Sequence, residues 1–260
     1  MTKKECDIDK RYMNGERRHM PPLFWVDIIG LCISILITCS LTISVIGVDP
    51  KNPVNLSFGL FTGSIALWTS SALFLRLTLW LAPILPTPLI VLNPILWTKS
   101  ATIFISLTSI LSLLFTVIFL GRRTRWTDLA LTLAFVLFSI FLVIGLSTKG
   151  LFVTSVQLDD YGLFRHGKSK VAWLMLGIWA AYIVWSLVLF WQERHRSGAG
   201  FLAFGMLLLL LGLFLRIVIF APFPFISFSN TACAFLLAYG VISKQLFNPL
   251  KARTLELNKE

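Results

Sequence analysis

Residues 223–260 read FPFISFSNTACAFLLAYGVISKQLFNPLKARTLELNKE, and the change of character inside this stretch decides the fold. Phe223 to Ile242 is an uncharged run of 20 residues. A helix of that length crosses a hydrocarbon core of about 30 Å. The run then becomes a polar tail without a glycine-rich hinge, and in the tail Leu246, Leu250 and Leu257 stand four and seven residues apart. That spacing suits one apolar seam of a starting coiled coil. A span that feeds a seam-bearing helix has the shape of a device for carrying movement from membrane to cytoplasm.

The remainder of the chain has the same character. Of its 260 residues 57% are hydrophobic and only 13% charged, with a mean hydropathy of +0.82. Such a composition belongs to an all-α integral membrane protein whose main partner is the lipid bilayer. The net charge of +11 would suggest nucleic acid in a soluble protein. Here the basic residues sit in the tails and between apolar runs, and no basic face with interleaved aromatics is present, so they read as a topology signal. Cys6, Cys32, Cys39 and Cys233 form no CxxC pair, and three of them lie in apolar runs as small packing residues. No cleavable leader is evident, because the first apolar run is already of full span length.

Working outward, the sequence divides into a basic N-terminal tail (1–22), a transmembrane helical domain (23–245) and the start of a cytoplasmic signalling helix (246–260). Seven spans are expected, near 23–47, 57–82, 100–120, 127–147, 171–191, 201–221 and 223–242. In the first, Ser34, Thr38 and Thr42 recur every four residues; such a stripe bonds either to a neighbouring helix or back to its own carbonyls. The second opens with Gly59-x-x-x-Gly63, a pairing that lets helices approach closely. Pro83, Pro86, Pro88 and Pro94 break up the apolar stretch 83–97, which reads as a membrane-hugging or re-entrant loop, or alternatively as an additional broken span. Residues 149–170 combine strand-favouring Phe152 to Val156 with the turn chemistry of Asp159-Asp160-Tyr161-Gly162, which predicts a small extracytoplasmic β-hairpin. Five successive leucines, Leu207 to Leu211, predict a lipid-facing surface on the sixth span.

Orientation is less decided. With seven spans the basic residues divide evenly between the two sides. A chain that reverses near Arg76 and crosses again through 83–97 has eight crossings, and most of its basic residues then share the side of both termini. Leu73 to Trp80 has no turn residues for that reversal. Both topologies put the C-terminus inside and the hairpin outside.

Chemistry is scarce. His19, His166 and His195 all fall outside the apolar runs, so no span offers an axial ligand to a haem or chlorophyll, and no cofactor is expected. Asp27 and Asp128 lie near span ends, which gives no mid-membrane carboxylate relay for ion-coupled transport. No nucleophile–base constellation, HExxH or phosphate-binding glycine loop occurs, so an enzyme is not expected. Arg76 and Arg216 are the charges inside spans. Arg76 lies close enough to a span end to snorkel, whereas Arg216 is deeper and is a candidate member of a polar site.

From about Ser100 onward the order is span, basic turn, span, hairpin loop and three spans. It ends in Ala238-Tyr239-Gly240-Val241-Ile242-Ser243-Lys244-Gln245-Leu246-Phe247-Asn248-Pro249-Leu250. This resembles the seven-transmembrane N-terminal sensor region of bacterial histidine kinases, in which a similar Tyr-Gly-x-x-x-x-x-Leu-Phe-x-Pro run leads into a signalling coiled coil. The resemblance implies a signal-input module of a two-component system in the inner membrane. Asp159, Asp160, Tyr161, His166 and Arg216 are then expected at the sensing end. Tyr239, Leu246, Phe247, Pro249, Leu250 and Leu257 are expected at the output, acting on a homodimer or a larger signalling partner. The 260 residues hold no phosphoacceptor histidine in a charged helix and no ATP-binding glycine motif, so the resemblance is to the input region alone, as an excised domain, a stand-alone relative or a relative recruited as a subunit. The alternative is a non-catalytic accessory subunit packed into a larger membrane complex, and a transporter ranks third.

Overall fold

A computed structural model describes residues 22–81, 94–147, 153–158, 164–195, 198–218 and 225–244. Among these the chain forms seven helices: α1 (Pro22–Val48), α2 (Pro53–Leu81), α3 (Pro94–Leu120), α4 (Arg125–Ser147), α5 (Lys170–Gln192), α6 (Ala199–Val218) and α7 (Phe225–Lys244). Two strands between α4 and α5, β1 (Val153–Leu158) and β2 (Phe164–Lys168), pair antiparallel, with Val156 opposite His166. Five helices, α1 to α5, carry spans long and apolar enough to cross a membrane, and α6 and α7 carry shorter apolar segments. The chain is a helical, multi-pass membrane protein.

Local chemistry sets the helix ends. Asn52 caps α2 by accepting from the Val54 amide at 2.9 Å, and Pro53 fills the first helical position, where its missing N–H costs nothing. At the end of α3, Gly121 adopts a φ of +64°. The Gly121 and Arg122 amides donate back to the Ile118 and Val117 carbonyls at 3.2 and 3.1 Å, the Schellman pattern that a glycine permits. Three residues later Thr124 and Thr127 form a reciprocal capping box. Each hydroxyl accepts from the other's amide, at 3.2 and 2.9 Å. Ser169 caps α5 by accepting from Ala172 N at 3.1 Å.

These ends revise several expectations. The four prolines of 83–97 do not all interrupt helix, because Pro94 begins α3 and Trp97 lies in its first turn; residues 82–93 lie outside the described residues. The second span begins at Pro53, four residues before the expected Ser57, because Asn52 and Pro53 start a helix where the sequence had read a longer loop. Most directly, α2 runs unbroken through Arg76 to Leu81. The reversal that eight crossings require is therefore absent from that helix.

Sequence neighbours pack antiparallel, and six helices close a circuit of contacts: α1–α2–α3–α5–α6–α7 and back to α1. Helix α4 stands outside it, against α3 and α5. There Trp179 meets Phe138 and Phe141 edge-on, and the Tyr182 hydroxyl donates to the Ala130 carbonyl at 3.2 Å. The interior belongs to α2 and α3, whose spans are 67% and 72% buried, against 22–28% for α1, α4 and α5. Composition explains the difference. Lipid gives apolar helices no hydrophobic reason to associate, so close packing and hydroxyl bonds decide which ones go inside. The two inner helices carry most of the buried hydroxyls, among them Thr62, Thr69, Ser106, Ser109, Ser112 and Thr116.

Those hydroxyls mostly bond back to their own helix, as Thr69 does to Ile65 O at 2.8 Å and Thr116 to Ser112 O at 2.7 Å. A few reach across. Ser112 meets Ser186 of α5 at 3.2 Å, and Thr42 of α1 meets Thr62 of α2 at 2.8 Å. The Ser34–Thr38–Thr42 stripe thus does both things, since Thr38 and Thr42 also donate to the carbonyls one turn earlier. Gly59 leaves α2 no room for a side chain against α1, because a Cβ there would lie 2.5 Å from Ile46 side-chain atoms. An aromatic cluster of Phe58, Phe61, Phe115, Phe119 and Phe190 fastens α2, α3 and α5 together. The leucine run on α6 is not uniformly lipid-facing. Leu209 is buried and only Leu211 is well exposed, because five successive residues go more than once round a helix.

Candidate functional site

The inward stripe of α1 runs Phe24, Asp27, Leu31, Ser34, Thr38, Leu41, Val45, all buried at spacings of three and four. Asp27 is the one acid among them. In antiparallel α2, Arg76 stands as far from the helix end at Leu81 as Asp27 stands from Pro22, so the two charges meet at the same depth. Arg76 Nε donates to Asp27 Oδ2 at 2.8 Å, with the carboxylate side chain 2% exposed and the guanidinium side chain 14%. A second bond ties Arg76 Nη1 to the Ala72 carbonyl at 3.2 Å. Arg76 thus lies near the span end, as expected, but its guanidinium is tied to an acid that the sequence had assigned only to an interface.

Helix α7 joins this region from the third side. It lies parallel to α1, and Thr231 Oγ1 donates to the Gly30 carbonyl at 3.2 Å. Next to it Asn230 is buried, and its Nδ2 has no hydrogen-bond partner; the same holds for Ser34 Oγ on the α1 stripe. Toward α6, Ser229 Oγ donates to the Leu208 carbonyl, and a Cβ on Gly205 would lie 3.6 Å from the Cys233 sulfur, an ordinary contact. One turn outward from the ion pair, Trp80 meets Trp25 edge-on with centroids 5.5 Å apart. The result is a polar seam at one end of α1, α2 and α7, with its charges paired, two polar groups unfilled and tryptophans at the rim.

The bundle places the β1–β2 pair at this same end, between the end of α4 and the start of α5, with β1 against α3. Arg216 lies in the last turns of α6, also at this end, and His166 in β2. Asp159, Asp160 and Tyr161 lie outside the described residues, as do Leu246, Phe247, Pro249, Leu250 and Leu257 of the expected output segment. Tyr239, the remaining output residue, is 55% exposed on α7 and packs edge-on against Phe201 at 4.9 Å.

The opposite end is held by surface pairs. Arg122 bonds Glu193, and Arg123 Nε bonds Asp128 Oδ1 at 2.8 Å, while Arg194 lies over the Trp191 ring at 5.5 Å. Such exposed pairs contribute little to stability. Cys32, Cys39 and Cys233 are free thiols, and among the described residues no group of three His, Cys, Asp or Glu could hold a metal.

Sequence reasoning had treated Asp27 and Arg76 separately and so missed the pair. The available signal was their equal distance from the shared end of consecutive antiparallel spans. Compared with known proteins, the chain matches no family model and no curated protein.

Proposed function

We propose that the chain is a membrane-embedded signal-input module, similar to the seven-transmembrane regions of bacterial histidine kinases. On this reading it crosses the plasma membrane seven times, with the β1–β2 end outside and the C-terminus in the cytoplasm. The short basic turns at 121–126 and 193–196 support that orientation, since Lys and Arg in short loops are retained inside. No catalytic step belongs to it.

One observation carries the reading: a single helix, α7, touches the polar seam near its start and leads into the polar tail at its other end. A stimulus that alters the outer end of α1, α2 and α7 would shift α7 against its neighbours, and small helix shifts are an established way to switch an output. The test fuses the whole chain after Glu260 to a kinase output and measures phosphorylation in vesicles as conditions at the outer face are varied. Wild-type output that responds, and Asp159→Ala/Asp160→Ala output that does not, supports sensing. Output unchanged by every condition in both proteins overturns it.

A second reading, the accessory subunit, is favoured by α4, whose outward face exposes Trp126, Leu129, Leu133, Val136, Ile140 and Val143. Mild-detergent purification separates the two readings. A stoichiometric large partner supports the subunit, and a homodimer supports the input module.

A further inference from the structure

We propose that Arg76 holds the phosphodiester of a membrane phospholipid at the outer rim of the α1–α2 seam. The argument starts with donors. The guanidinium has five N–H groups in a fixed fork. Nε is committed to Asp27 Oδ2 and Nη1 to the Ala72 carbonyl. Among the described residues Nη2 has no partner, and the side chain as a whole retains 14% exposure. An uncommitted guanidinium N–H near the hydrocarbon needs an acceptor, because leaving it bare there is costly.

Depth says which acceptor is at hand. Helix α2 has 29 residues and is about 43 Å long, against a hydrocarbon core of about 30 Å. Centred, it extends past that core by about 6 Å at each end. Arg76 lies about 7.5 Å in from Leu81 along the helix, which puts its backbone at the edge of the hydrocarbon core, where a long side chain is within reach of a phosphate. Trp80, one turn further out on the same face, and exposed Trp25 mark that level as well, since amphipathic indoles settle at the headgroups. Asp27 gives the site a distinctive selectivity. Its carboxylate cancels the guanidinium charge, so the ligand is held by directed hydrogen bonds and not by net charge. Zwitterionic and anionic phospholipids therefore bind alike, and salt has little effect.

The test delipidates the full chain in dodecyl maltoside, which contains no phosphate. It then follows thermal unfolding, and lipid retention by native mass spectrometry, on adding dioleoylphosphatidylcholine, dioleoylphosphatidylglycerol, dioleoylglycerol or inorganic phosphate. Both phospholipids should raise the midpoint equally and remain bound, and dioleoylglycerol should do neither. Arg76→Lys, whose single ammonium stays with Asp27, should lose most of that difference, and the charge-free Asp27→Asn/Arg76→Gln protein should lose all of it. Equal effects of dioleoylglycerol and the phospholipids on the wild type would overturn the proposal, as would an undiminished phospholipid effect in Arg76→Lys. A strong, salt-sensitive preference for phosphatidylglycerol would replace it with recognition by net charge. The same stabilisation by inorganic phosphate would replace the lipid with a free oxyanion.

Discussion

Removing the guanidinium from beneath Asp27 is the sharpest perturbation the fold offers. In Arg76→Gln the carboxylate stays where it is, 2% exposed and one turn inside α1, but without its cation. Breaking a buried ion pair from one side costs about 3–5 kcal/mol, because the remaining charge is desolvated and uncompensated. The penalty should be near the lower figure here, since Arg76 keeps some exposure and the site lies toward a helix end. For a chain of this size each kcal/mol moves the midpoint by about 2–4 °C. The expected loss is therefore about 10 °C, read by tryptophan fluorescence or dye-based melting in detergent. Asp27→Asn should cost less, because the stranded arginine can turn its flexible head toward the headgroups. The double variant Asp27→Asn/Arg76→Gln removes both charges and should recover most of the loss, so its cost falls well short of the sum of the two single costs and the coupling in the mutant cycle is large. Single losses below about 1 kcal/mol with no coupling would mean that water already solvates the pair, and the interior placement of Arg76 would be refuted.

The other predictions concern packing, unfilled polar groups and topology. Gly59→Ala should destabilise by about 1–3 kcal/mol through overpacking against Ile46, and Ile46→Val in the same chain should restore part of it. Gly63→Ala, whose Cβ meets only Thr42 at 3.6 Å or more, should be neutral or gain up to about 1 kcal/mol of helix propensity; the pair is compared in one melting series. Ser34→Ala and Asn230→Leu each remove a buried polar atom without a partner and should stabilise by about 1 kcal/mol apiece, again by melting. Single cysteines at Asn52 and Gln192 should react with an impermeant maleimide from one face of sealed vesicles and a cysteine at Ser169 from the other. Labelling of all three from the same face would exclude the seven-crossing arrangement.

How far the sequence could be read depended on whether a feature was local. Helix existence follows from runs of apolar residues, so every expected span from 23–47 to 223–242 corresponds to a helix. Ends fared worse at prolines. Pro94 reads as a breaker and Pro53 falls ahead of the expected second span, yet both are starters, and what distinguishes them is the cap before Pro53 and the long apolar continuation after each. The leucine run on α6 misled because uniform composition carries no phase, whereas the hydroxyl stripe on α1 had a period and so had a direction. The ion pair was the least legible feature. It is a relation between residues 27 and 76, and neither local window contains it; only antiparallel pairing at matched depth brings the two together.

That relation also separates what is fixed in the bundle from what is free to shift. Helices α2 and α3 are buried on most sides, their hydroxyls are closed onto their own carbonyls, and α5 is fastened to them through the Phe115 cluster. Helix α7 is packed too, with Cys233, Ala234 and Leu237 buried against its neighbours, but its described polar ties are of another kind. Among the described residues they include Thr231 to Gly30 and Ser229 to Leu208, both to main-chain carbonyls, while Asn230 beside them has an unfilled amide nitrogen and Ser34 on α1 an unfilled hydroxyl. A main-chain carbonyl recurs along every helix, so a hydroxyl can exchange one for the next at little cost, which side chains locked in an aromatic cluster cannot do. The frame of α2, α3 and α5 is thus held by interlocked rings, whereas these hydroxyl ties of α7 can be exchanged in steps. On the proposed function, α7 is the helix that has to move.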